Sequence, residues 1–222
     1  MKIKYWADFE CPYCFISETN LYEAIHELGM EDDVEIEMKA YELDPKASKH
    51  YTLSIQEKFE KEEGMSPTEA QQRFHQIHRY AEDADLHFDF TKMRYTNDFD
   101  AHRLYKYARE QGVEDKIRPL LFEAYFIENK ELANRETLYE VARKAGLNHH
   151  KVEEMLDSEA YKDDVRKDES QAEILEIESV PYFMIGEQIV PGYRDKKQFK
   201  EILKNNTESG KTGASCSPKS CG

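Results

Sequence analysis

The chain has 222 residues, of which 39% are hydrophobic, so it can bury a core and its composition excludes a disordered chain. Asp and Glu outnumber Lys and Arg by 46 to 31, a formal charge of −15, with no basic stripe. This balance predicts no nucleic-acid partner and no attraction to an anionic membrane surface. The sequence has no apolar run of roughly 18 residues, the length that spans a membrane, and no apolar stretch typical of a secretory signal at its N-terminus. We therefore expect a cytoplasmic protein.

The first fifty residues predict a β-α-β unit. Residues 2–9 alternate between apolar and polar side chains and indicate a strand. Residues 14–28 have apolar side chains at helical spacing, and Gly29 follows as a plausible stop. Residues 34–40 alternate with period two, which is typical of a half-buried strand. A cysteine pair, Cys11 and Cys14, lies where the first strand gives way to the helix.

The middle of the chain predicts a block of helices over residues 53–158. Ala101, Leu104, Tyr105 and Ala108 have the spacing of one helix face, and similar sets follow. Ser66 and Pro67 are typical of a helix start. The charged runs 57–63 and 162–169 are interpreted as solvated helix faces.

After a helix that ends near residue 177, residues 181–185 and 188–190 predict a hairpin with its turn at 186–187. A last helix carries Phe199, Ile202 and Leu203. From residue 205 the chain is polar and rich in Gly, Ser and Thr, which predicts a flexible linker. It leads to a second cysteine pair, Cys216 and Cys221.

The pair Cys11 and Cys14 has the spacing of a redox-active dithiol. One thiolate attacks a disulfide, and a second thiol close behind it resolves the mixed disulfide. Pro12 suits a first helical turn, and the positive end of the helix favours the Cys11 thiolate. The acidic side chains of Asp8 and Glu10 oppose that effect.

Other interpretations of the cysteines and histidines stay open. Cys11 and Cys14 would also suit half of a zinc site, completed by the tail pair, or two buried thiols. His75 with His78, and His149 with His150, could bind a metal, but surface or packing roles fit them better. His102 is interpreted as structural, with a place along a substrate groove as the alternative. We predict no metal site and no cofactor.

Several segments resemble the DsbA-like thioredoxin-fold oxidoreductases, and specifically their FrnE-type branch. The resemblance covers residues 2–204 and rests on DFECPYC at 8–14, NDFDAHRL at 97–104, LFEAYF at 121–126 and VPYF at 180–183. It implies an α/β fold: a thioredoxin-like domain, residues 1–52 and 159–204, interrupted by an all-helical domain, residues 53–158. Residues 205–222 would then form a flexible tail.

The resemblance also implies roles for the site residues. Cys11 would be the nucleophile, Cys14 the resolving thiol, and Pro181 a cis-proline beside them, with the Val180 backbone pairing with a substrate chain. The expected function is a thiol–disulfide oxidoreductase or isomerase acting on protein disulfides. Because Pro12 and Tyr13 form the central pair typical of glutaredoxins, glutathione or a thioredoxin-type protein could be the reductant.

Two further functions of the chain, and three roles for its tail cysteines, are kept as alternatives. The chain could be a chaperone-like binder of unfolded chains, or a glutathione-dependent isomerase or transferase. The pair Cys216 and Cys221 could serve as a secondary redox pair that shuttles electrons to the main site, capture a soft metal, or stay unpaired. The oligomeric state is not predicted.

Overall fold

The computed structural model describes residues 1–50, 53–61, 63–90 and 92–212, and for residues 208–212 it describes the backbone alone. The strands are β1 (Lys2–Ala7), β2 (Glu35–Ala40), β3 (Leu53–Ser54), β4 (Arg94–Tyr95), β5 (Tyr182–Ile185) and β6 (Gln188–Pro191). The α-helices are α1 (Pro12–Leu28), α2 (Ile55–Lys61), α3 (Pro67–Asp83), α4 (Phe99–Glu110), α5 (Glu114–Phe126), α6 (Arg135–Lys144), α7 (His149–Asp157), α8 (Lys162–Ile174) and α9 (Lys196–Thr212). None of these helices is long and apolar enough to cross a membrane.

Within the described ranges, β1 lies inside a four-stranded sheet of order β2-β1-β5-β6. β1 runs parallel to β2, with Ile3 opposite Ile36, and antiparallel to β5, with Tyr5 opposite Phe183. A parallel pair needs a crossover, which α1 provides. The side chains of Tyr5 and Trp6 are fully buried. The predicted α/β thioredoxin-like fold with a helical insertion is confirmed.

Besides its helices, the insertion between β2 and α8 contains a small two-stranded sheet that the sequence did not predict. β3 and β4 pair antiparallel, with Leu53 opposite Tyr95 and Ser54 opposite Arg94. Strands of two residues are too short for an alternating pattern, so periodicity could not indicate them. This small sheet, together with α2 and α3, lies over the start of α1.

The linker predicted from residue 205 is wrong over its first part, because α9 continues to Thr212. Polar side chains stabilise these turns: Thr207 donates its hydroxyl hydrogen to the carbonyl of Lys204 at 2.7 Å. Asn206 donates to the carbonyl of Ile202 at 2.9 Å and to Oε1 of Gln188 at 3.0 Å. The polar composition that suggested a linker therefore belongs partly to a helix that contacts the β5–β6 hairpin.

The charged run 162–169 is also not a fully solvated helix face. Asp168 is 4% exposed, and its Oδ2 accepts a hydrogen bond from the backbone N–H of Ala40 at 3.0 Å. Lys106 forms an ion pair with the same oxygen, and Lys39 lies 3.2 Å from Oδ1. These contacts join α8 to β2 and α4, so one acidic residue of the run holds the insertion against the sheet.

Candidate active site

Cys11 and Cys14 lie at the start of α1, directly after the end of β1. Cys11 is the N-cap residue and Pro12 occupies the first turn, where a missing N–H leaves no hydrogen bond unmade. The backbone N–H groups of Cys14 and Phe15 donate to the carbonyl of Cys11 at 3.1 and 3.3 Å. The positive end of the helix dipole therefore lies at Cys11. Cys14 follows three residues later, nearly one helical turn along α1.

The segment before β5 brings Val180 and Pro181 to the first cysteine. β1 pairs with β5 so that Trp6 lies opposite Tyr182, and the residues preceding Tyr182 therefore face the chain that follows β1. The Val180–Pro181 peptide bond is cis. Sγ of Cys11 lies 3.7 Å from the carbonyl oxygen of Val180, which accepts its weak hydrogen bond. Cys11 and Val180, distant in sequence, thus meet at one end of the sheet.

Cys11 lines a cavity of about 210 Å³ between α1, α2, α3 and the small β3–β4 sheet. Its apolar wall includes Phe59, Ile77, Phe90, Met93, Tyr95 and Phe126. Cys11 is 3% exposed and Cys14 1%, and Cys14 does not reach the cavity. The described residues thus enclose both thiols and leave the cavity as the approach to Cys11.

Two cations lie on the cavity wall. Lys58 lies over the ring of Tyr95, with Nζ 2.9 Å from the ring centroid. Arg73 forms an ion pair with Glu63 at 2.8 Å and lies over the ring of Phe59. The charged run 57–63 is therefore more than a solvated helix face, since Lys58, Phe59 and Glu63 all line this cavity.

Buried carboxyl groups surround the loop before Cys11. Asp8 accepts hydrogen bonds from the backbone N–H groups of Glu10 and Leu43, both at 2.6 Å. Asp98 accepts one from the N–H of Phe9 at 3.2 Å. The two carboxylates fix this loop against the start of α4 and the chain after β2.

Three buried carboxyl groups near this loop, those of Asp8, Glu10 and Glu42, hold their protons unusually firmly. Burial first, and then the charge of Asp98, raise the pKa of Asp8 to about 8. Burial, followed by Asp98 and Asp8, raises the pKa of Glu10 well above its usual range. Burial and then Asp98 raise the pKa of Glu42 to about 7. Near pH 7 these three side chains together therefore carry less negative charge than three ordinary carboxylates would.

His102 is fully buried beside this group of acids. Its Nε2 lies 3.2 Å from Oδ2 of Asp98. The two groups are close enough for an ion pair, but their geometry does not meet the criteria for a hydrogen bond. Burial opposes the charged ring, but Asp98, then Asp8 and Glu42, together raise the pKa of His102. Its ring packs 4.8 Å from that of Phe9. His102 does not line the cavity at Cys11, so the structural interpretation fits its position.

Cys14 is the more deeply buried thiol of the pair. Burial, followed by its hydrogen-bond contact with Cys11, raises the pKa of the Cys14 thiol well above its usual value. A backbone hydrogen bond from Asp8 lowers this pKa, and the charge of the Asp8 side chain raises it by a smaller amount. Cys14 therefore carries a proton at neutral pH.

The remaining candidate residues lie elsewhere. His75 and His78 are on the exposed side of α3, and His149 and His150 are exposed at the start of α7. Cys216 and Cys221 lie outside the described residues. Sequence reasoning missed Lys58 and Arg73, which only the folded insertion brings to the cavity at Cys11, and it missed Glu42 and Asp98 of the buried acidic group. The NDF segment at 97–99, noted as a family-like motif, was the one available signal for Asp98.

Comparisons with known proteins agree with this architecture. The model of the DSBA-like thioredoxin domain matches residues 2–204. The crystal structure of a probable DsbA oxidoreductase from Streptomyces coelicolor superposes with a TM-score of 0.87 at 26% identity, covering 100% of this chain and 94% of that one. The Bacillus subtilis (strain 168) protein YwbO, described as uncharacterized, is 25% identical over 205 residues, covering 90% of this chain and 94% of YwbO.

A more distant structure shares the fold alone. The cytosolic disulfide reductase DsbM from Pseudomonas aeruginosa has a TM-score of 0.64 at 12% identity, covering 94% of this chain and 100% of DsbM. The family match spans both parts of the thioredoxin-like domain and the whole insertion. The chain belongs to the family of DSBA-like thioredoxin domains, whose members are generally thiol–disulfide oxidoreductases.

Proposed function

We propose that this protein exchanges disulfides with protein substrates through Cys11 and Cys14. The observation that carries the proposal is the position of Cys11, at the N-cap of α1 and 3.7 Å from the Val180 carbonyl. A helix start favours an attacking thiolate. The backbone beside Val180 offers hydrogen-bonding groups to an extended substrate chain.

The proposed reaction takes place in two steps. The Cys11 thiolate attacks one sulfur of the substrate disulfide, forms a mixed disulfide, and releases the other sulfur as a thiol. Cys14 then attacks Sγ of Cys11, forms the Cys11–Cys14 disulfide, and releases the second substrate thiol. The substrate is reduced and the protein oxidised. The same steps in reverse oxidise a dithiol substrate.

Cys14 must lose its proton before it can attack. Asp8 suits this role because burial and Asp98 raise its pKa to about 8, so that its ionised form, which becomes more populated as pH rises toward that value, accepts a proton more strongly than an ordinary carboxylate. Its two backbone hydrogen bonds hold the carboxyl group in place. We propose Asp8 as the base for the second step.

The test is the reduction of insulin disulfides by dithiothreitol with the full chain and two variants. We expect Cys11→Ser to abolish the acceleration, because no nucleophile remains. We expect Cys14→Ser to keep the first attack but lose turnover. A wild-type chain that does not accelerate the reaction, or a Cys11→Ser variant that still does, would refute the proposal.

A small thiol is a second candidate substrate, favoured by the enclosed cavity. A volume of about 210 Å³ admits one side chain or a small molecule, but no folded surface. Lys58 places a positive charge on its wall, beside the Arg73–Glu63 ion pair, which suits a thiol that carries carboxylates, such as glutathione. DsbM, a fold relative, has a structure with GSH. A ratio of kcat/KM for oxidised glutathione over insulin well above one would favour this candidate.

The proposed shuttle by Cys216 and Cys221 meets a constraint of distance. Phe199 packs against Phe183, and farther along α9 Asn206 bonds to Gln188, so α9 runs toward the hairpin turn and away from Pro181. The distance from the active-site end of the sheet to Thr212 is about 25 Å. It adds the length of β1 from Ala7 back to Lys2, at 3.3 Å per residue, to the length of α9 from Asn206 to Thr212, at 1.5 Å per residue. The four residues from Thr212 to Cys216 span at most about 14 Å. This argues against exchange between Cys216 and Cys11 of one molecule, whereas the nine residues from Thr212 to Cys221 span up to about 32 Å and are long enough for Cys221 to reach.

A further inference from the structure

Leu43 is an exposed apolar side chain in the wall of the cavity at Cys11. Among the described residues, five large apolar side chains are more than a third exposed, and Leu43, at 49%, is the one of the five that lines this cavity. A single exposed leucine is ordinary on a protein surface. Leu43 differs because three half-buried aromatic rings, those of Tyr13, Phe90 and Tyr95, line the same cavity. Together they form an apolar surface that begins at the nucleophile.

Two hydrogen bonds fix Leu43 beside the backbone that is proposed to bind substrate. The N–H of Leu43 donates to Oδ2 of the buried Asp8 at 2.6 Å. Two residues earlier in the chain, the hydroxyl of Tyr41 donates to the carbonyl of Ile177 at 3.4 Å. The chain after β2 is therefore joined to the segment that leads to Val180, which lines the cavity together with Leu43. A substrate chain that pairs with Val180 would lie against Leu43.

The cavity has the size for one large apolar side chain. Its volume is about 210 Å³, whereas an engineered apolar cavity of about 150 Å³ already holds benzene. The charged side chains of Arg73 and Glu63 pair with each other at 2.8 Å and are each about a third exposed, so this pair lies at the mouth of the cavity. An aromatic ring or a branched aliphatic side chain therefore fits against the apolar wall, beside the substrate sulfur.

An extended chain turns successive side chains to opposite faces. When such a chain pairs with the backbone at Val180 and turns its cysteine toward Cys11, the residues two positions away are on the same face, roughly 6.6 Å along the chain. The residues next to the cysteine face the other way. The side chains at positions −2 and +2 are therefore the ones that can enter the cavity with the cysteine.

We propose that this cavity binds a large apolar side chain two residues from the substrate cysteine, and that Leu43 is a specificity-determining residue for that side chain. This rests on the proposed function of Cys11 and names its substrate class. The preferred substrates are extended chains that carry an aromatic or branched aliphatic residue at position −2 or +2 from a disulfide-bonded cysteine.

The test uses short blocked peptides of Gly and Ser around one cysteine, each as a disulfide-linked dimer, with Phe in place of Ser at position −2, −1, +1 or +2. The second-order rate constant of reduced wild-type protein with each dimer is measured by acid quenching and mass spectrometry. We expect Phe at −2 or +2 to raise this rate constant over that of the Ser peptide by about 10- to 100-fold, the scale of apolar discrimination in a pocket. Phe at −1 or +1 should leave it near that of the Ser peptide, because the ring faces away.

A series of variants tests the role of Leu43. Leu43→Ser changes a half-exposed side chain and keeps the backbone N–H that binds Asp8. It should lower the ratio of the Phe to the Ser rate constant by about 5-fold, since about half of a leucine contact is lost. Leu43→Met, which keeps an apolar side chain of similar volume, should restore most of the ratio. The matched control is Ile189→Ser on β6, which is 56% exposed and outside the cavity and should keep the wild-type ratio.

The proposal is overturned if Phe gives no gain at −2 or +2, if it gives an equal gain at −1 or +1, or if Leu43→Ser leaves the ratio unchanged. Rate constants that fall as the protein concentration rises would show that a second copy of the chain covers the cavity, which also overturns it. A wild-type chain in which Cys11 reacts with none of the dimers, the Ser peptide included, refutes the proposed function instead.

Discussion

The carbonyl oxygen of Val180 lies 3.7 Å from Sγ of Cys11, although 169 residues separate them in the chain. The contact exists because β1 and β5 pair antiparallel, which brings the end of one strand to the start of the other. The inserted helices then close over this point, so the thiol faces a cavity rather than open solvent.

The first prediction concerns the reactivity of the two thiols. In reduced protein at pH 6, iodoacetamide should modify Cys11 at least about 10-fold faster than Cys14, because a thiolate is the reactive form. Burial and the contact with Cys11 raise the pKa of Cys14, and Cys14 does not line the cavity. Peptide mass mapping against time measures both rates. Faster labelling of Cys14 would contradict the assignment, and unfolded protein, which should label both alike, is the control.

A second prediction concerns stability and pH. Burial and the nearby acids raise the pKa of Glu10 in the folded state, so above its ordinary pKa the unfolded chain loses this proton while the folded chain keeps it. The stabilisation is therefore complete at low pH and is lost as pH rises, by up to about 1.4 kcal/mol per pH unit for one group. Glu10→Gln should make the free energy of unfolding, measured with urea from pH 5 to 8, fall less steeply than in the wild type. An unchanged slope would show that Glu10 ionises normally.

A third prediction tests the charge of the cavity wall. Lys58→Gln should lower kcat/KM for oxidised glutathione by about 2- to 5-fold, the scale of a partly screened charge interaction. The rate with 2-hydroxyethyl disulfide should change much less, because that disulfide carries no charge. Lys61→Gln is the matched control, since Lys61 is on the same helix but pairs with Glu57 at 3.1 Å, outside the cavity. Equal effects of the two variants would leave Lys58 without a role in substrate binding.

A fourth prediction concerns how the insertion is attached. Asp168→Ala should lower the free energy of unfolding by about 3–5 kcal/mol, because it leaves Lys106 buried without its charge partner. It also removes the acceptor for the N–H of Ala40. Asp164→Ala, at an exposed position of the same helix, should change stability by less than about 0.5 kcal/mol. A small effect at Asp168 would mean that α8 is held mainly by apolar packing.

A fifth prediction concerns the tail. Truncation after Thr212 should leave the insulin reduction rate unchanged, because Cys11 and Cys14 carry both steps of the proposed reaction and dithiothreitol supplies the electrons. Truncation after Lys204 should instead lower stability, since it removes the hydrogen bond from Asn206 to Gln188. If Cys14→Ser formed a mixed disulfide between Cys11 and Cys216 of the same molecule, the distance argument would be wrong.

Much of this arrangement could be predicted from local patterns. The period-two alternation before Ala40, the Gly29 stop and the Ser66 helix start each reflect short-range physics, and the structure has β2, the end of α1 and the start of α3 there. Composition misled where a polar or charged segment was buried by distant partners. Asp168 and the turns of α9 after Lys204 are examples, because their hydrogen-bond partners are on other elements.

The candidate site could be predicted only in part for the same reason. The cysteine motif is local, so Cys11 and Cys14 stand out in the sequence. Lys58, Arg73 and Asp98 come from three separate helical segments of the insertion, and nothing near them in sequence indicates a thiol. The raised pKa of Glu10 likewise depends on burial by these segments, which no single stretch of sequence contains.

The central claim is that Cys11 attacks a substrate disulfide and Cys14 resolves the product, and one trapping measurement tests it most directly. Reduced Cys14→Ser protein is mixed with oxidised insulin at pH 7, quenched with acid, and mapped by mass spectrometry without reduction. The account predicts a stable mixed disulfide on Cys11, whereas the wild type under the same conditions gives a Cys11–Cys14 disulfide and free insulin thiols. No adduct on Cys11, or an adduct on Cys14 in the corresponding Cys11→Ser protein, would contradict the account.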